Sequence, residues 1–562
     1  MQIPRPEHPR PQFYRDTWQN LNGIWQFEID QCNSGIPRGL AKEGAELSGS
    51  ITVPFCPESD LSGVGHKDFI YGVWYKRKIF VSDLSGRVFL HFGAVDYSCQ
   101  VFVNGVEAGS HKGGYVSFSF DITRLLREGE NEITLYATDD TRSGIIPSGK
   151  QCHEYHSRGC LYTRTTGIWQ TVWLEFTPKA YIASAKYYPN VEAGSVTVAL
   201  CLQGSAPLAA EVSYEGKPMG SYQLASAAGE LCFTVPLAEK HLWEVGQGRL
   251  YDVKLTFGED VVRSYFGLRQ VRMEGHKFLL NGKSVFQRLV LDQGFYPDGI
   301  YTAPSDEALK KDILLSLDMG FNGARLHEKI FEERFLYHAD KLGYLVWGEY
   351  PDWGLDHTKA ENIYAILPEW IEEVNRDFNH PSIIGWCPRN ETRPVQHDDS
   401  IAMTYHVTKA LDPTRPCIDT SGYNHVVTDI YCLHQYQQDP AVFRDYYKDM
   451  TEDGGFDDPH NHRDKYQPGQ PMFVSEYGGI RWTDDASGWG YGNAPKTQEE
   501  FLERLEALTD VLLENKYMMG LCYTQLTDVE QEQNGLYTYN RKAKFDPALI
   551  RPFFQKKAAI EE

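Results

Sequence analysis

A repeated unit of one apolar strand followed by one helix fills the second half of the chain, and it limits the possible folds more than any other feature. Eight apolar segments in this half predict strands, and helix-like stretches separate most of them. The predicted strands span residues 285–291, 321–326, 344–347, 382–386, 416–419, 429–433, 471–474 and 520–523. Eight such units across residues 271–562 are typical of a (β/α)8 barrel, whose active site lies at the carboxyl ends of its strands.

The first 270 residues do not show this repeat. Short strands of alternating apolar and polar residues recur there, and Asn104-Gly105 predicts a tight hairpin turn between two of them. Residues 181–270 contain about seven such strands, which fits an immunoglobulin-like β-sandwich. We therefore expect an all-β domain at 1–180, an immunoglobulin-like sandwich at 181–270 and a barrel at 271–562.

The net charge of the chain is −22, because 77 acidic residues outnumber 55 basic ones. Such a charge repels phosphate backbones and anionic lipids, so nucleic acids and membrane surfaces are not expected as partners. No run of about 18 apolar residues, as a membrane span would need, occurs in the sequence. The 11 scattered cysteines indicate reduced thiols. The polar, proline-rich start has no apolar leader core, so we expect a cytoplasmic protein, with a signal peptide removed from a longer precursor left open.

Polar side chains follow the predicted barrel strands, where an active site is expected. Three of them are glutamates: Glu349, Glu391 and Glu476. A carboxylate beside a buried strand must be paired or hydrogen-bonded, so these positions favour a functional role over a solvated surface. Two carboxylates that meet across a barrel mouth suit glycoside hydrolysis, in which one donates a proton and the other attacks the sugar or activates water.

Motifs for other common chemistries are missing from the sequence. It has no phosphate-binding loop ending in Lys-Ser/Thr, no G-x-G-x-x-G dinucleotide motif and no G-x-S-x-G elbow. Phosphoryl transfer, hydride transfer and serine-hydrolase chemistry are therefore unsupported.

Five motifs follow one another along the chain, at residues 18–25, 162–178, 266–269, 379–391 and 474–479. Their residues, order and spacing resemble those of glycoside hydrolase family 2, the family of β-galactosidases and β-glucuronidases. The resemblance covers essentially the whole chain. It implies an N-terminal jelly-roll β-sandwich at 1–180, an immunoglobulin-like β-sandwich and a C-terminal (β/α)8 TIM barrel that carries out catalysis.

By position in these motifs, the resemblance implies that Glu391 is the general acid/base and Glu476 the nucleophile of a retaining enzyme. Retention requires carboxyl groups about 5–5.5 Å apart, with the acid protonated while its partner is charged. The resemblance also places Asn390 on the sugar 2-hydroxyl and Tyr436 against the nucleophile, where a merely packed aromatic is the alternative. Arg325 is expected to brace the nucleophile, with a purely structural ion pair as the competing interpretation.

The sequence departs from the family pattern around the sugar. Asp292 follows strand one, where many members have a basic residue, His and Glu; we interpret it as gripping a vicinal diol, or else as a solvated loop residue. β-Glucuronidases typically have an Asn-x-Lys pair for the substrate carboxylate, whereas this chain has Asn534-Gly-Leu without the lysine. The sequence thus weakens a glucuronidase interpretation, although Lys329 or Arg393 could supply the charge.

Further residues at the predicted mouth complete the candidate substrate contacts. Trp353 is placed to stack on a sugar, or else to pack in the core, and Gln525 follows strand eight. Glu349 and His434 raise the question of a divalent cation, as used by large β-galactosidases. One Glu and one His do not make a metal site, so they are assigned to hydrogen bonding at the mouth, and no cofactor is expected to be required.

Together these features predict an exo-acting, retaining β-glycosidase, with β-galactosidase as the first expectation for its activity. A family 2 enzyme that acts on an α-L-arabinoside, a β-galactofuranoside or a uronide is the alternative. A carbohydrate-binding protein with a silent barrel is the hypothesis from another class, against which both candidate glutamates argue. A glycoside is the expected partner, and assembly into a homo-oligomer is left open.

Overall fold

Two large antiparallel sheets and one two-stranded sheet form the N-terminal part of the protein, in a computed structural model that describes residues 3–450, 456 and 466–561. This part contains helix α1 (Gly35–Arg38) and the strands β1 (Trp18–Asn20), β2 (Gly23–Ile29), β3 (Gly49–Val53), β4 (Gly72–Val81), β5 (Arg87–Phe92), β6 (Val95–Asp96), β7 (Ser98–Val103), β8 (Val106–Lys112), β9 (Phe118–Asp121), β10 (Gly129–Thr138), β11 (Gly167–Ile168) and β12 (Val172–Thr177). The large sheets have the orders β1-β12-β5-β9 and β3-β2-β4-β10-β7-β8, and they enclose one apolar core. Strands β6 and β11 form the third sheet. Between β7 and β8, Asn104 and Gly105 both have positive φ, which confirms the predicted hairpin turn.

A second β-sandwich follows, with strands β13 (Tyr181–Asn190), β14 (Ser195–Tyr214), β15 (Lys217–Pro236), β16 (Tyr251–Phe257) and β17 (Asp260–Phe266). It has fewer and longer strands than the sequence predicts, because runs that look separate belong to β14 and β15, which are 20 residues each. The first half of β14 pairs with β13 and its second half pairs with β16. The register shifts along the pairing of β14 with β15 and once in its pairing with β13. Their inward side chains form a core of their own.

The C-terminal part begins with a small antiparallel sheet and continues as a barrel. The small sheet consists of β18 (Val271–Glu274), β19 (Lys277–Leu280) and β20 (Lys283–Ser284). The barrel elements are β21 (Gln287–Asp292), α2 (Asp306–Met319), β22 (Gly323–Leu326), α3 (Glu333–Leu342), β23 (Leu345–Glu349), α4 (Ile363–Asp377), β24 (Ile383–Cys387), α5 (Asp398–Leu411), β25 (Tyr431–Gln435), α6 (Pro440–Tyr446), β26 (Met472–Gly478), α7 (Gln498–Leu513), β27 (Met518–Thr524) and α8 (Pro547–Gln555). Neighbours pair in parallel in the order β24-β23-β22-β21-β27-β26-β25.

The predicted fifth strand, residues 416–419, is not a strand of this sheet. The segment instead runs beside β24 through isolated parallel bridges, Trp386 to Cys417 and Asn390 to Ser421. Pro416 has no N–H to donate, and the Asp419 carboxylate accepts the N–H groups of the turn that follows. These local bonds draw the chain out of regular pairing after a few residues, while the segment still occupies the fifth position of the barrel.

Helix signals in the sequence match the structure where their chemistry is local. The Ser305 hydroxyl accepts the N–H of Ala308 at the start of α2, and Gly320 ends the helix in the left-handed region with φ 101°. Among the described helices, none combines the length and apolarity that a membrane crossing requires.

The N-terminal sandwich packs directly against the barrel mouth. Its residues Tyr115, Tyr162 and Trp169 belong to the same apolar core as the barrel strands. The Ser148 N–H donates to the Trp353 carbonyl oxygen at 2.7 Å, which holds a loop of the sandwich over the carboxyl ends of β23 and β24. Side chains from two domains can therefore reach one site.

Candidate active site

The two predicted catalytic glutamates meet across the barrel mouth, at the carboxyl ends of its fourth and seventh strands. Glu476 lies within β26, and Glu391 follows β24 with a positive φ of 50°. One side-chain oxygen from each carboxylate and a ring nitrogen of His434 all lie within 4.8 Å of one another. This separation suits a retaining mechanism, which needs carboxyls about 5–5.5 Å apart, better than an inverting one, which needs about 6.5–9.5 Å.

His434 bridges the two carboxylates. Its Nδ1 lies 2.8 Å from Glu391 Oε1 and 3.3 Å from Glu476 Oε2. Its Nε2 lies 2.9 Å from the hydroxyl of Ser421, which fixes the orientation of the ring. The sequence placed His434 at this strand end but did not assign it this bridging position.

The nucleophile position is held by charged and hydroxyl donors. The Tyr436 hydroxyl donates to Glu476 and lies 3.0 Å from the Thr524 hydroxyl, while its ring stacks on Tyr491. Tyr436 is thus both packed and hydrogen-bonded to the carboxylate. Arg325 donates to Glu476 Oε1 at 3.2 Å, as a residue that braces a nucleophile would.

Glu349, the last residue of β23, forms an ion pair with Arg325. Its two oxygens contact the Arg325 guanidinium and, at 3.1 Å, Nδ1 of His327, and the side chain is 2% exposed. The predicted contact of Glu349 with a sugar remains a prediction, because both oxygens already have protein partners.

The pKa values of both catalytic carboxyls lie below their ordinary value of 4.5. Burial raises the pKa of each group, but the His434 hydrogen bond and charge outweigh burial at Glu391, with help from Lys150. At Glu476 the charges of His434, His327 and Arg325 outweigh burial. The lowered pKa of Glu476 favours a charged nucleophile. The lowered pKa of Glu391 differs from the raised pKa expected for the acid, because His434 contacts both carboxylates.

Asn390 and Trp353 line the mouth beside Glu391. The Asn390 Oδ1 accepts from Arg325 at 3.4 Å, while its buried Nδ2 has no partner within the described residues. That free donor suits a sugar hydroxyl. The indole N–H of Trp353 donates to the Asn390 carbonyl oxygen at 3.3 Å, and its ring borders the cavity.

Gln525 joins a hydrogen-bonded chain that links the barrel to the N-terminal sandwich. Its amide donates to Asn534 at 2.9 Å, Asn534 donates to Glu532 at 3.1 Å, and Tyr162 donates to Glu532 at 2.6 Å. The Gln525 oxygen is buried and has no partner among the described residues. The sequence assigned no site role to Glu532, and it gave Tyr162 only as the first residue of the motif at 162–178.

Asp292 is buried at the end of β21, with 4% exposure, so the solvated-loop alternative is wrong. One of its oxygens accepts the Gly294 N–H at 2.9 Å. Burial and the nearby Asp312 raise the pKa of Asp292 to about 7. Its predicted grip on a sugar diol stays a prediction.

The two cations proposed from sequence to bind a uronate differ in availability. Lys329 is buried and donates to the carbonyl oxygens of Gly294 and Tyr301, and burial lowers its pKa to about 7. Arg393 is exposed at the rim of a cavity of about 580 Å³, which is bordered by loops of the sandwich and the barrel. Sequence reasoning missed Lys150, which reaches the mouth from the sandwich and lies 3.5 Å from the centre of the Trp353 ring.

A TIM barrel whose mouth holds two carboxylates at this separation defines a glycoside hydrolase of the retaining type. Residues 18–174 match the family model "Glycosyl hydrolases family 2, sugar binding domain", and residues 271–480 match "Glycosyl hydrolases family 2, TIM barrel domain". The chain belongs to glycoside hydrolase family 2.

Several proteins named β-glucuronidase are similar to this chain. The enzyme of Paenibacillus borealis is 25% identical, over 95% of this chain and 96% of its own length. A putative β-glucuronidase of Formosa agariphila is 28% identical to this chain. The alignment covers 73% of this chain and half the length of that protein. The structure of Lactobacillus rhamnosus β-glucuronidase aligns with a TM-score of 0.80 at 21% identity, covering 97% of this chain and 98% of that one. The Ruminococcus gnavus enzyme in complex with D-glucuronic acid aligns with a TM-score of 0.79 at 20% identity, covering 99% and 100%.

Proposed function

We propose that this protein is an exo-acting retaining β-glycosidase that hydrolyses β-D-glucuronides. The observation that carries the hydrolytic mechanism is the contact of His434 with both Glu391 and Glu476. The sugar is proposed from the similar proteins, which are named β-glucuronidases and match nearly the full length of the chain. None of the relatives described above is a β-galactosidase, so the first expectation has no support from them.

The proposed reaction proceeds by two displacements. In the first, the charged Glu476 attacks the anomeric carbon while Glu391 passes a proton to the leaving oxygen. Glu391 Oε1 and His434 Nδ1 lie 2.8 Å apart, close enough for a proton to pass between them. In the second displacement, Glu391 takes a proton from water as the water attacks the glycosyl–Glu476 ester, and the ester bond breaks. The two carboxylates and water suffice, so no step needs a cofactor.

A neutral β-galactoside is the second candidate, and Glu532 is the observation that favours it. Burial raises the pKa of Glu532 to about 6, and the group lies in the field of Lys150 and Glu476. A carboxylate so placed repels a uronate when ionised and does not repel a neutral sugar.

The test is a screen of the purified protein on p-nitrophenyl glycosides: β-D-glucuronide, β-D-galacturonide, β-D-galactoside, β-D-glucoside, β-D-mannoside, β-D-galactofuranoside, and both α-L-arabinosides. We expect the β-D-glucuronide to have the highest kcat/KM, and the Glu476→Ala variant to be inactive on it. A preference for the galactoside would replace the proposed sugar. A protein that binds glucuronate but cleaves no member of the panel would support the silent-barrel hypothesis instead.

Two expectations from the sequence remain proposals beside this one. A cytoplasmic location is proposed from the scattered cysteines, which suit a reducing compartment. Assembly into a homo-oligomer is left to a measurement of molar mass in solution.

A further inference from the structure

We infer that Lys150 of the N-terminal sandwich binds the carboxylate of a uronic acid held in the barrel mouth. This inference rests on the proposed function and names the residue that would select its substrate. The Asn-x-Lys pair that typically serves this purpose is missing from the chain, so a cation from another element is required if the sugar is a uronate.

The backbone around Lys150 is fixed at the mouth by both domains. The Ser148 N–H donates to the Trp353 carbonyl oxygen at 2.7 Å, and the Tyr162 N–H donates to the Lys150 carbonyl oxygen at 2.7 Å. The Lys150 ammonium lies 3.5 Å from the centre of the Trp353 ring, and the Trp353 indole N–H is bonded to Asn390 at 3.3 Å. The ammonium is thereby held next to the residues that flank the acid/base.

Acidic residues surround the Lys150 ammonium, but its N–H donors have no acceptor among the described residues. Burial lowers the pKa of Lys150, and the charges around it, including those of Glu328, Glu391 and Glu476, raise the pKa above its ordinary value. The side chain is buried, and no described residue accepts a hydrogen bond from its Nζ. An ammonium with three donors and no acceptor, on a side chain that is only 4% exposed, is suited to a ligand carboxylate, which also offsets the desolvation of the lysine.

Three other cations near the mouth, Arg325, Lys329 and Lys544, are committed to protein partners. Arg325 pairs with Glu349 and Glu476, and Lys329 donates to two carbonyl oxygens. Lys544 lies 2.6 Å from Asp528. Arg393 lines the outer cavity and is exposed, so water competes with any ligand there.

The experiment compares matched pairs of p-nitrophenyl glycosides that differ only at C6: β-D-glucuronide against β-D-glucoside, and β-D-galacturonide against β-D-galactoside. We expect Lys150→Met to lower kcat/KM on the uronides roughly 100-fold. Its loss of kcat/KM on the neutral partners should be at least about tenfold smaller, because those sugars lack the carboxylate and lose only the effect of Lys150 on Glu391. Lys150→Arg should retain most of the preference for uronides. Lys310→Met, a change of an exposed lysine on α2, is the matched control.

Several outcomes overturn the inference, and they differ from failure of the proposed function. Equal losses on charged and neutral sugars in Lys150→Met would assign Lys150 to support of the carboxylates. Loss of uronide preference in Arg393→Gln but not in Lys150→Met would assign the contact to Arg393. In both cases the wild type still cleaves uronides, so the proposed function stands. A wild type that cleaves only neutral sugars overturns both proposals. Inhibition by free D-glucuronate, measured on the folded variants, separates lost binding from lost folding.

Discussion

At the scale of single residues, the division of labour between the two glutamates can be tested directly. Glu476→Ala should lower turnover ~10,000-fold or more, because no other group forms the glycosyl ester. Glu391→Ala should retain the first step on substrates with good leaving groups and lose it on alkyl glycosides. Added azide should then give a β-glycosyl azide with Glu391→Ala, detected by NMR. Glu503→Ala, an exposed site on α7, is the control. Near-normal turnover of Glu476→Ala would disprove the assignment.

A second residue-scale prediction concerns the pH dependence set by His434. Lowered carboxyl pKa values keep Glu476 charged as the pH falls, so the acidic limb of kcat/KM should lie below pH 4.5, the ordinary pKa of a glutamate. His434→Asn removes the contacts that lower both pKa values, so the limb should move up by about one pH unit. It should also reduce kcat/KM roughly tenfold or more. His406→Asn, on the exposed face of α5, should change neither value. An unchanged limb in His434→Asn would exclude this electrostatic role.

The catalytic residues at the strand ends could be predicted because they lie in short motifs that are contiguous in the sequence. Glu391, Glu476 and Asn390 follow apolar runs in recognisable motifs, and the structure places them together. Lys150 and Glu532 could not be found in this way. They reach the mouth through packing between two domains, which leaves no periodic signal in the chain.

At the scale of elements, one glycine marks a contact between the second sandwich and the barrel. Gly343 ends α3 with φ 65°, and a Cβ there would lie 2.4 Å from the Gln247 nitrogen and the Glu244 oxygen. Gly343→Ala should lower the free energy of unfolding by about 3 kcal/mol, the sum of backbone strain and overpacking. Gly275→Ala has a similar φ of 53° with open space around it, so it should cost only about 1 kcal/mol. Equal losses in urea unfolding would rule out the steric contact.

The same scale shows which elements the sequence could define. Helix α2 was predictable because Ser305 and Gly320 act on their own turns. The fifth barrel segment was predicted as a strand but is held only by isolated bridges, because Asp419 bonds the following turn. An apolar run alone does not reveal such competition from a side chain.

At the scale of the whole molecule, the order of two β-sandwiches and a barrel could be predicted because each has its own hydrophobic periodicity. The way they meet could not, since the residues that pack the N-terminal sandwich on the barrel, such as Tyr115 and Trp169, read as ordinary core aromatics. That junction builds one wall of the active-site cavity. The sugar specificity of the enzyme is therefore expected to depend on the relation between domains as well as on the barrel.

Stability of the whole molecule should depend on pH through a buried acid near that junction. Burial, together with Glu58 and Asp140, raises the pKa of Asp139 from 3.8 to about 8. Below pH 4 the Asp139 carboxyl is protonated in both the folded and the unfolded chain, so its titration does not change the free energy of unfolding. Between pH 4 and 8 only the unfolded chain ionises freely, so stability is lost as the pH rises through this range.

Asp139→Asn keeps the shape of the side chain and removes its titration. It should raise the free energy of unfolding by about 2 kcal/mol at pH 8, because one pKa unit corresponds to about 1.4 kcal/mol and relaxation around the ionised group offsets part of the full shift. At pH 4 the variant and the wild type should agree. Thermal unfolding by calorimetry across this range measures the difference, with the exposed Asp68→Asn as control. Parallel curves for Asp139→Asn and the wild type would show that Asp139 is ionised in the folded protein, and would assign any pH dependence of stability to other buried acids.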